Sequence, residues 1–264
     1  MTDKNMILLS FDIEEFDLPT EYGLPIAWEE QVRISREGCG HILKVLAGHG
    51  ARATFFCTAR FAEAAPEVIR AICEGGHEVA SHGYAHSAFE EADLGRSRQV
   101  LRQMSGQPVV GFRMPRMMHV ADEALLRAGY RYNSSLNPAF IPGRYMHLTT
   151  PRTWFMRGPV MEIPASVSPH LRIPLFWLAL HNFPEWLYRS LVRQVLRHDG
   201  YFVTYFHPWE FYDLKRHSEF KMPFIIKNHS GKALEQRLDR FIKAMKADKQ
   251  EFITYVDFVN RQKK

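Results

Sequence analysis

Met6-Ile-Leu-Leu-Ser-Phe-Asp-Ile-Glu-Glu-Phe-Asp17 is the stretch on which the fold turns. A short apolar run, Met6 to Phe11, ends abruptly in carboxylates, which reads as a buried strand delivering acidic side chains at its C-terminal end. A nucleotide-binding sheet would place a Gly-rich phosphate turn at this point. None stands here, which weakens a flat doubly wound sheet as the competing architecture.

Working outward, the same unit repeats. Apolar positions Val32, Ile42, Leu43 and Leu46 suggest a helix over 29–46, ended by Gly48 and Gly50. Ala53-Thr-Phe-Phe-Cys57 is a second strand, residues 62–74 a helix with Pro66 in its first turns, and Glu78-Val-Ala-Ser81 a third strand. Further helices are expected over 94–104, 121–128, 184–198 and 234–247. Further strands are expected over 109–112, 130–132, 161–163, 200–206 and 251–255. Alternating strands and helices imply parallel strands covered by helices, and about seven or eight of them suffice for a closed or nearly closed barrel.

The chain has 264 residues, 46% hydrophobic and 24% charged, the composition of a globular α/β protein with a full core. Only Met1–Asn5 and Arg261–Lys264 read as disordered ends. The start shows no signal-peptide pattern, and no segment approaches the length of a membrane span. Cys39, Cys57 and Cys73 cannot all pair, so reduced thiols and a cytoplasmic setting are expected. The net charge of +5 is dispersed, with the excess of Lys and Arg mostly after residue 185, and nothing resembles a nucleic-acid module.

Polar residues fall where strands end: Asp12, His82, Arg113, Asn133 and His207. In a parallel barrel these ends meet on one face. Ser81-His-Gly-Tyr-Ala-His86 sets two imidazoles one helical turn apart, able to share a metal; the bland alternative is a surface helix with two unrelated histidines. Asp12 and Glu14 fall on one side of an extended segment, so one can bind metal while the other takes a proton from water. Glu15 and Asp17 are expected in a solvated acidic loop. Arg113 can hold a carboxylate ionised. His207, followed by Pro208, is a candidate general acid, a core histidine being the alternative.

Phe11-Asp-Ile-Glu14, Ser81-His-Gly-Tyr-Ala-His86, Arg113-Met-Pro115, Tyr132-Asn-Ser-Ser-Leu136 and Phe206-His-Pro-Trp209 resemble, in order, the motifs of the polysaccharide deacetylases (carbohydrate esterase family 4, the NodB-homology domain). The resemblance implies a single-domain deformed (β/α)7-type barrel over 1–264 with the active site at the C-terminal strand ends. It implies a divalent metal, commonly zinc, with His82 and His86 as ligands, Asp12 as general base, Arg113 orienting it, and His207 as general acid. Two departures stand out. Ile13 fills the place of a second aspartate, as in an Asp-x-Glu subgroup, which carries the third ligand role to Glu14. Asn133 stands where an aspartate usually tunes the acid histidine; a neutral amide can orient His207 but stabilises its imidazolium less.

The implied reaction removes an N-acetyl group from a sugar, in a polysaccharide or a lipid-linked precursor. An allantoinase-like amidohydrolase on a small cyclic amide and a non-catalytic carbohydrate-binding protein are the alternatives. The apolar stretch Leu171–Leu180, within an insertion near 165–200, reads as buried packing, with peripheral contact at the inner membrane face as the sharper alternative.

Overall fold

The computed structural model describes residues 5–141, 145–146, 149–217, 219–220 and 222–262. The strands are β1 (Met6–Ile13), β2 (Thr54–Cys57), β3 (Glu78–Ser81), β4 (Gly111–Phe112), β5 (Tyr132–Asn133), β6 (Phe140–Ile141), β7 (Tyr145–Met146), β8 (Phe155–Arg157), β9 (Val160–Glu162), β10 (Tyr201–Phe206) and β11 (Glu251–Phe252). The α-helices are α1 (Trp28–His49), α2 (Ala59–Ala64), α3 (Pro66–Glu74), α4 (Ala92–Ser105), α5 (Asp122–Ala128), α6 (Trp177–Asn182), α7 (Glu185–Asp199), α8 (Phe224–Lys227), α9 (Lys232–Ala247) and α10 (Tyr255–Gln262).

The main sheet runs β10-β1-β2-β3-β4-β5-β9-β8. Its first seven strands pair in parallel, β8 is antiparallel to β9, and β11 adds a short parallel pairing at the foot of β1. The result is the deformed (β/α)7 architecture as an open arc. Beyond β9 the chain returns to the far edge, where Ser166 N donates to Val203 O at 3.0 Å.

Side-chain parity along the strands decides what faces the interior. On β1, Ile7, Leu9, Phe11 and Ile13 join the layer under the helices, whereas Leu8 packs with Phe56, Ala80, Val203 and Tyr255 inside the arc. Period two then sends Ser10, Asp12 and Glu14 to that inner side, as the sequence predicts. Ala80 and His82 share the inner parity on β3 and its extension, as do Val203, Tyr205 and His207 on β10 and its extension.

The structure adds β6, β7, β8, α6 and α8 to the expected elements, and it differs from them at residue 65, after Phe252 and at the chain ends. The helix expected over 62–74 is two, α2 and α3, broken at Ala65 (φ −136°, ψ 60°) because a residue before proline is pushed out of the helical region and Pro66 restarts the helix. The last strand stops at Phe252, and Tyr255 opens α10, whose apolar Tyr255, Phe258 and Val259 fill the foot of the arc. Of the ends expected to be disordered, Arg261 and Gln262 complete α10; Met1–Lys4 and Lys263–Lys264 lie outside the described residues.

Residues 165–200 carry α6 and α7 and lead into β10. Leu175, Phe176, Ala179 and Leu180 are buried, and Leu171 is the exposed member of the stretch at 73%. No helix among the described residues is long and apolar enough to cross a membrane.

Candidate metal centre and acid–base site

β1 and the loop after β3 bring three donors together. Glu14 Oε2 lies 3.2 Å from His82 Nε2 and 3.2 Å from His86 Nε2. The two histidines are not on a helix. They sit in an irregular loop whose turn is made at Gly83 (φ +80°), so the loop, not a helical turn, converges the rings. Both rings are pinned from behind: His82 Nδ1 meets the Arg113 carbonyl at 2.8 Å and His86 Nδ1 meets Asp17 Oδ1 at 2.8 Å. Because these oxygens only accept, each Nδ1 carries a proton and each Nε2 is the atom turned to the centre, able to bind a metal once it is unprotonated.

This donor set fits a divalent metal. Glu14 Oε2 is a buried carboxylate oxygen without a hydrogen-bond partner, and the ligand atoms all lie within 4.8 Å of one another. Two ligands each about 2.1 Å from a tetrahedral centre stand about 3.4 Å apart. Burial alone would raise the Glu14 carboxyl, but His86, His82 and His207 outweigh it and hold the group well below the usual carboxylate range. Burial opposes charge on His86, but Glu14 and Asp17 overcome it and lift its pKa to about 9.

Glu15 and Asp17 are not in a solvated loop. Both are buried. Glu15 accepts from Thr58 Oγ1 at 2.8 Å and from His86 N at 3.0 Å, so it ties the histidine loop to the start of α2. The acidic run reads as solvated by composition; two of its members instead brace the ligands.

Beside this cluster stands an acid–base pair. Arg113, wholly buried, donates from Nη1 to Asp12 Oδ1 at 2.5 Å. It is itself fixed by Ser10, by Ser134 and by the Tyr255 hydroxyl. Across the cavity His207 Nε2 lies 4.0 Å from Asp12 Oδ2. His207 Nδ1 meets Glu210 Oε1 at 2.7 Å, and the same oxygen accepts from His207 N at 2.6 Å. Burial would lower the His207 pKa, but Glu210, with Glu14 and Asp12, raises it above its ordinary value.

Asn133 does not reach His207. On β5, Tyr132 takes the inward parity, and so does Ser134, whose hydroxyl accepts from Arg113; Asn133 therefore points out of the arc. There its amide donates to Glu162 Oε2 at 2.7 Å. The carboxylate that grips the acid histidine is Glu210. The sequence carried a signal for it: His207-Pro208-Trp-Glu210 has capping-box spacing with proline at the first helical position, and Glu210 does reach back to the His207 N–H. Trp209, also missed, donates from Nε1 to Glu14 Oε1 at 3.2 Å and stacks on His207 with ring centroids 4.9 Å apart.

The cluster and the pair open into a cavity of about 350 Å³, lined also by Tyr22, Met117, Trp177, Leu178, Ile225 and Ile226. Arg113 and Asn133 do not line it.

Fold and site together define a class: parallel half-barrels that gather a two-histidine, one-carboxylate cluster and an Asp–His pair at the C-terminal ends of their strands. The chain belongs to the polysaccharide deacetylase family, whose model matches residues 1–132. A second model, described as a domain of unknown function (DUF3473), matches residues 134–257, so the seam between the two falls at β5, inside the continuous sheet. A peptidoglycan deacetylase of Helicobacter pylori is 30% identical over 108 residues, 38% of this chain and 37% of the relative. A peptidoglycan deacetylase-like protein of Gibberella zeae is 29% identical over 158 residues, 50% of this chain and 47% of the relative. The matched part is thus less than half of either relative's length. A protein of Mycobacterium smegmatis described as a candidate polysaccharide deacetylase superposes with a TM-score of 0.68 over 99% of this chain and 91% of its own, at 19% identity, a likeness of fold.

Proposed function

We propose that the protein is a metal-dependent hydrolase that removes an N-acetyl group from a sugar, releasing acetate and a free amine. The observation that carries this reading is the pairing of a fixed proton acceptor, Asp12, with a proton donor, His207, 4.0 Å apart and flanking the Glu14–His82–His86 cluster. Zinc suits that nitrogen–oxygen donor set, and once bound it supplies a Lewis acid for the amide carbonyl and lowers the pKa of a coordinated water. Arg113 holds Asp12 by Oδ1 and aims it, so that Oδ2 accepts the proton of the attacking water. Glu210 holds His207 by Nδ1, leaving Nε2 to protonate the departing amine nitrogen. Trp209 steadies Glu14 and flanks His207 at once.

The substrate is an N-acetylated sugar unit in a polysaccharide or a lipid-linked precursor. Exposed Tyr22 and Ile225 at the cavity, with Phe224 beside them at 74% exposure, support the lipid-linked form. A panel of N-acetylated sugars, free and lipid-linked, assayed for acetate release tests both points, with allantoin as the control for a cyclic-amide hydrolase. His82→Ala is expected to lose metal and activity together. Asp12→Asn is expected to keep metal and lose activity about 100-fold or more. Loss of metal in Asp12→Asn with retention in Glu14→Gln would reverse the two carboxylate assignments.

A further inference from the structure

His181, on α6, is wholly buried, and both of its ring nitrogens are engaged. Nδ1 meets the backbone carbonyl of Asn228 at 2.5 Å, and Nε2 meets Glu210 Oε2 at 2.8 Å. A carbonyl oxygen only accepts, so Nδ1 carries a proton. The contact between Nε2 and Oε2 then requires a second proton, on the nitrogen or on the oxygen. Glu210 Oε1 already accepts two N–H bonds, from His207 N at 2.6 Å and His207 Nδ1 at 2.7 Å. Donors converging on a carboxylate favour its charged form, which puts the second proton on His181 Nε2.

The surroundings suit this state. The Trp177 ring stands at right angles to His181 at 5.7 Å, and His229 Nδ1 meets the His181 carbonyl at 2.6 Å. On the far side of the relay, Asp12 and Glu14 face His207 from β1. A buried ion pair holds when geometry is good and its remaining donors and acceptors are satisfied, as here.

We propose that His181 is a buried imidazolium that acts as a positioning residue, its Nε2–H fixing Glu210 and, through Glu210, the orientation of His207. The consequence deepens the proposed function and rests on His207 being its general acid. A lone buried carboxylate would both aim His207 and hold its proton back. With the charge of His181 offsetting that of Glu210, the carboxylate aims the ring and leaves the proton easier to give up. His181, His207, Glu210 and Asn228 all lie in residues 134–257, so the stretch matched by the model of unknown function would supply the acid half of the site.

Nitrogen NMR of the full-length chain labelled with ¹⁵N-histidine tests the protonation state independently of any substrate, His181 being assigned by its absence in His181→Gln. Both His181 nitrogens are expected to be protonated, since Nδ1 faces a carbonyl oxygen and Nε2 a carboxylate oxygen. In Glu210→Gln the new amide donates to Nε2, and His181 is expected to revert to a single proton on Nδ1. One protonated nitrogen in the wild type, or no response to Glu210→Gln, overturns the proposal. For the positioning role, His181→Leu should lower kcat about tenfold or more with KM unchanged, and His181→Gln, which restores a donor, should recover to within about threefold. Equal losses in the two variants would contradict a donor role. A doubly protonated His181 in a protein that releases no acetate would refute the proposed function and leave this assignment standing.

Discussion

Removing the Asp17 carboxylate should weaken metal binding although Asp17 is not a ligand. Its Oδ1 accepts from His86 Nδ1 at 2.8 Å, which sets the tautomer that presents Nε2 to Glu14. Loss of such a partner costs about 10- to 100-fold in affinity, or about 1.4–2.7 kcal/mol. A second effect runs the other way. Asp17 helps lift the His86 pKa to about 9, so at pH 7 a metal must displace a proton from that ring, a penalty of about 2.7 kcal/mol. Because the metal-bound ring is unprotonated at Nε2, affinity should rise about tenfold per pH unit up to the His86 pKa and level off above it. Asp17→Ala lowers that pKa and so relieves part of the penalty at pH 7, while at pH 9 only the orientation loss is left. Zinc titration calorimetry on stripped protein should therefore show a larger deficit for Asp17→Ala at pH 9 than at pH 7, with activity restored by excess zinc. Equal affinities of variant and wild type at pH 9 would refute the reasoning.

Gly38→Ala should act on the other half of the site. A Cβ there would lie 1.8 Å from the Pro208 carbonyl oxygen, so α1 can carry only glycine beneath the His207 turn. We expect a stability loss of about 1–3 kcal/mol by thermal unfolding and lowered activity, with zinc affinity unchanged. Asn133→Ala should leave activity within about threefold, since Asn133 braces buried Glu162 instead of His207, and should cost about 1–3 kcal/mol in chemical denaturation. Glu78, buried on the inner side of β3, has its carboxyl raised by burial from 4.5 to about 7. The folded state therefore binds more protons than the unfolded state between those values, and this group's contribution to stability falls as pH rises from about 4.5 to about 7. Glu78→Gln should flatten that slope in unfolding curves, whatever its offset.

Much of this site is legible in β1. The alternation of apolar and polar residues from Ile7 to Glu14 names the strand, its inner face and the two carboxylates that share it. His82, Arg113 and His207 follow by the same logic, each one step past a strand end on the inward parity. What stayed hidden depends on groups distant in sequence. Asn133 has the right residue type beside the right strand but the wrong parity, and Ser134 takes the inward place. Glu15 and Asp17 look like solvated charge until the histidine loop folds over them. His181 carries no local pattern at all; only the packing of α6 against the turn after His207 brings it to Glu210. The open arc likewise needed β8 and the Ser166–Val203 contact, neither of which periodicity marks.

The most direct test of the central claim measures metal content and acetate release on the same samples: protein as purified, stripped by chelator, and reconstituted with one equivalent of zinc. We predict that acetate release from an N-acetylated sugar disappears on stripping and returns in proportion to bound zinc up to one per chain. Acetate release that survives complete stripping, or zinc that binds equally well to Glu14→Gln and His82→Ala, would contradict the account.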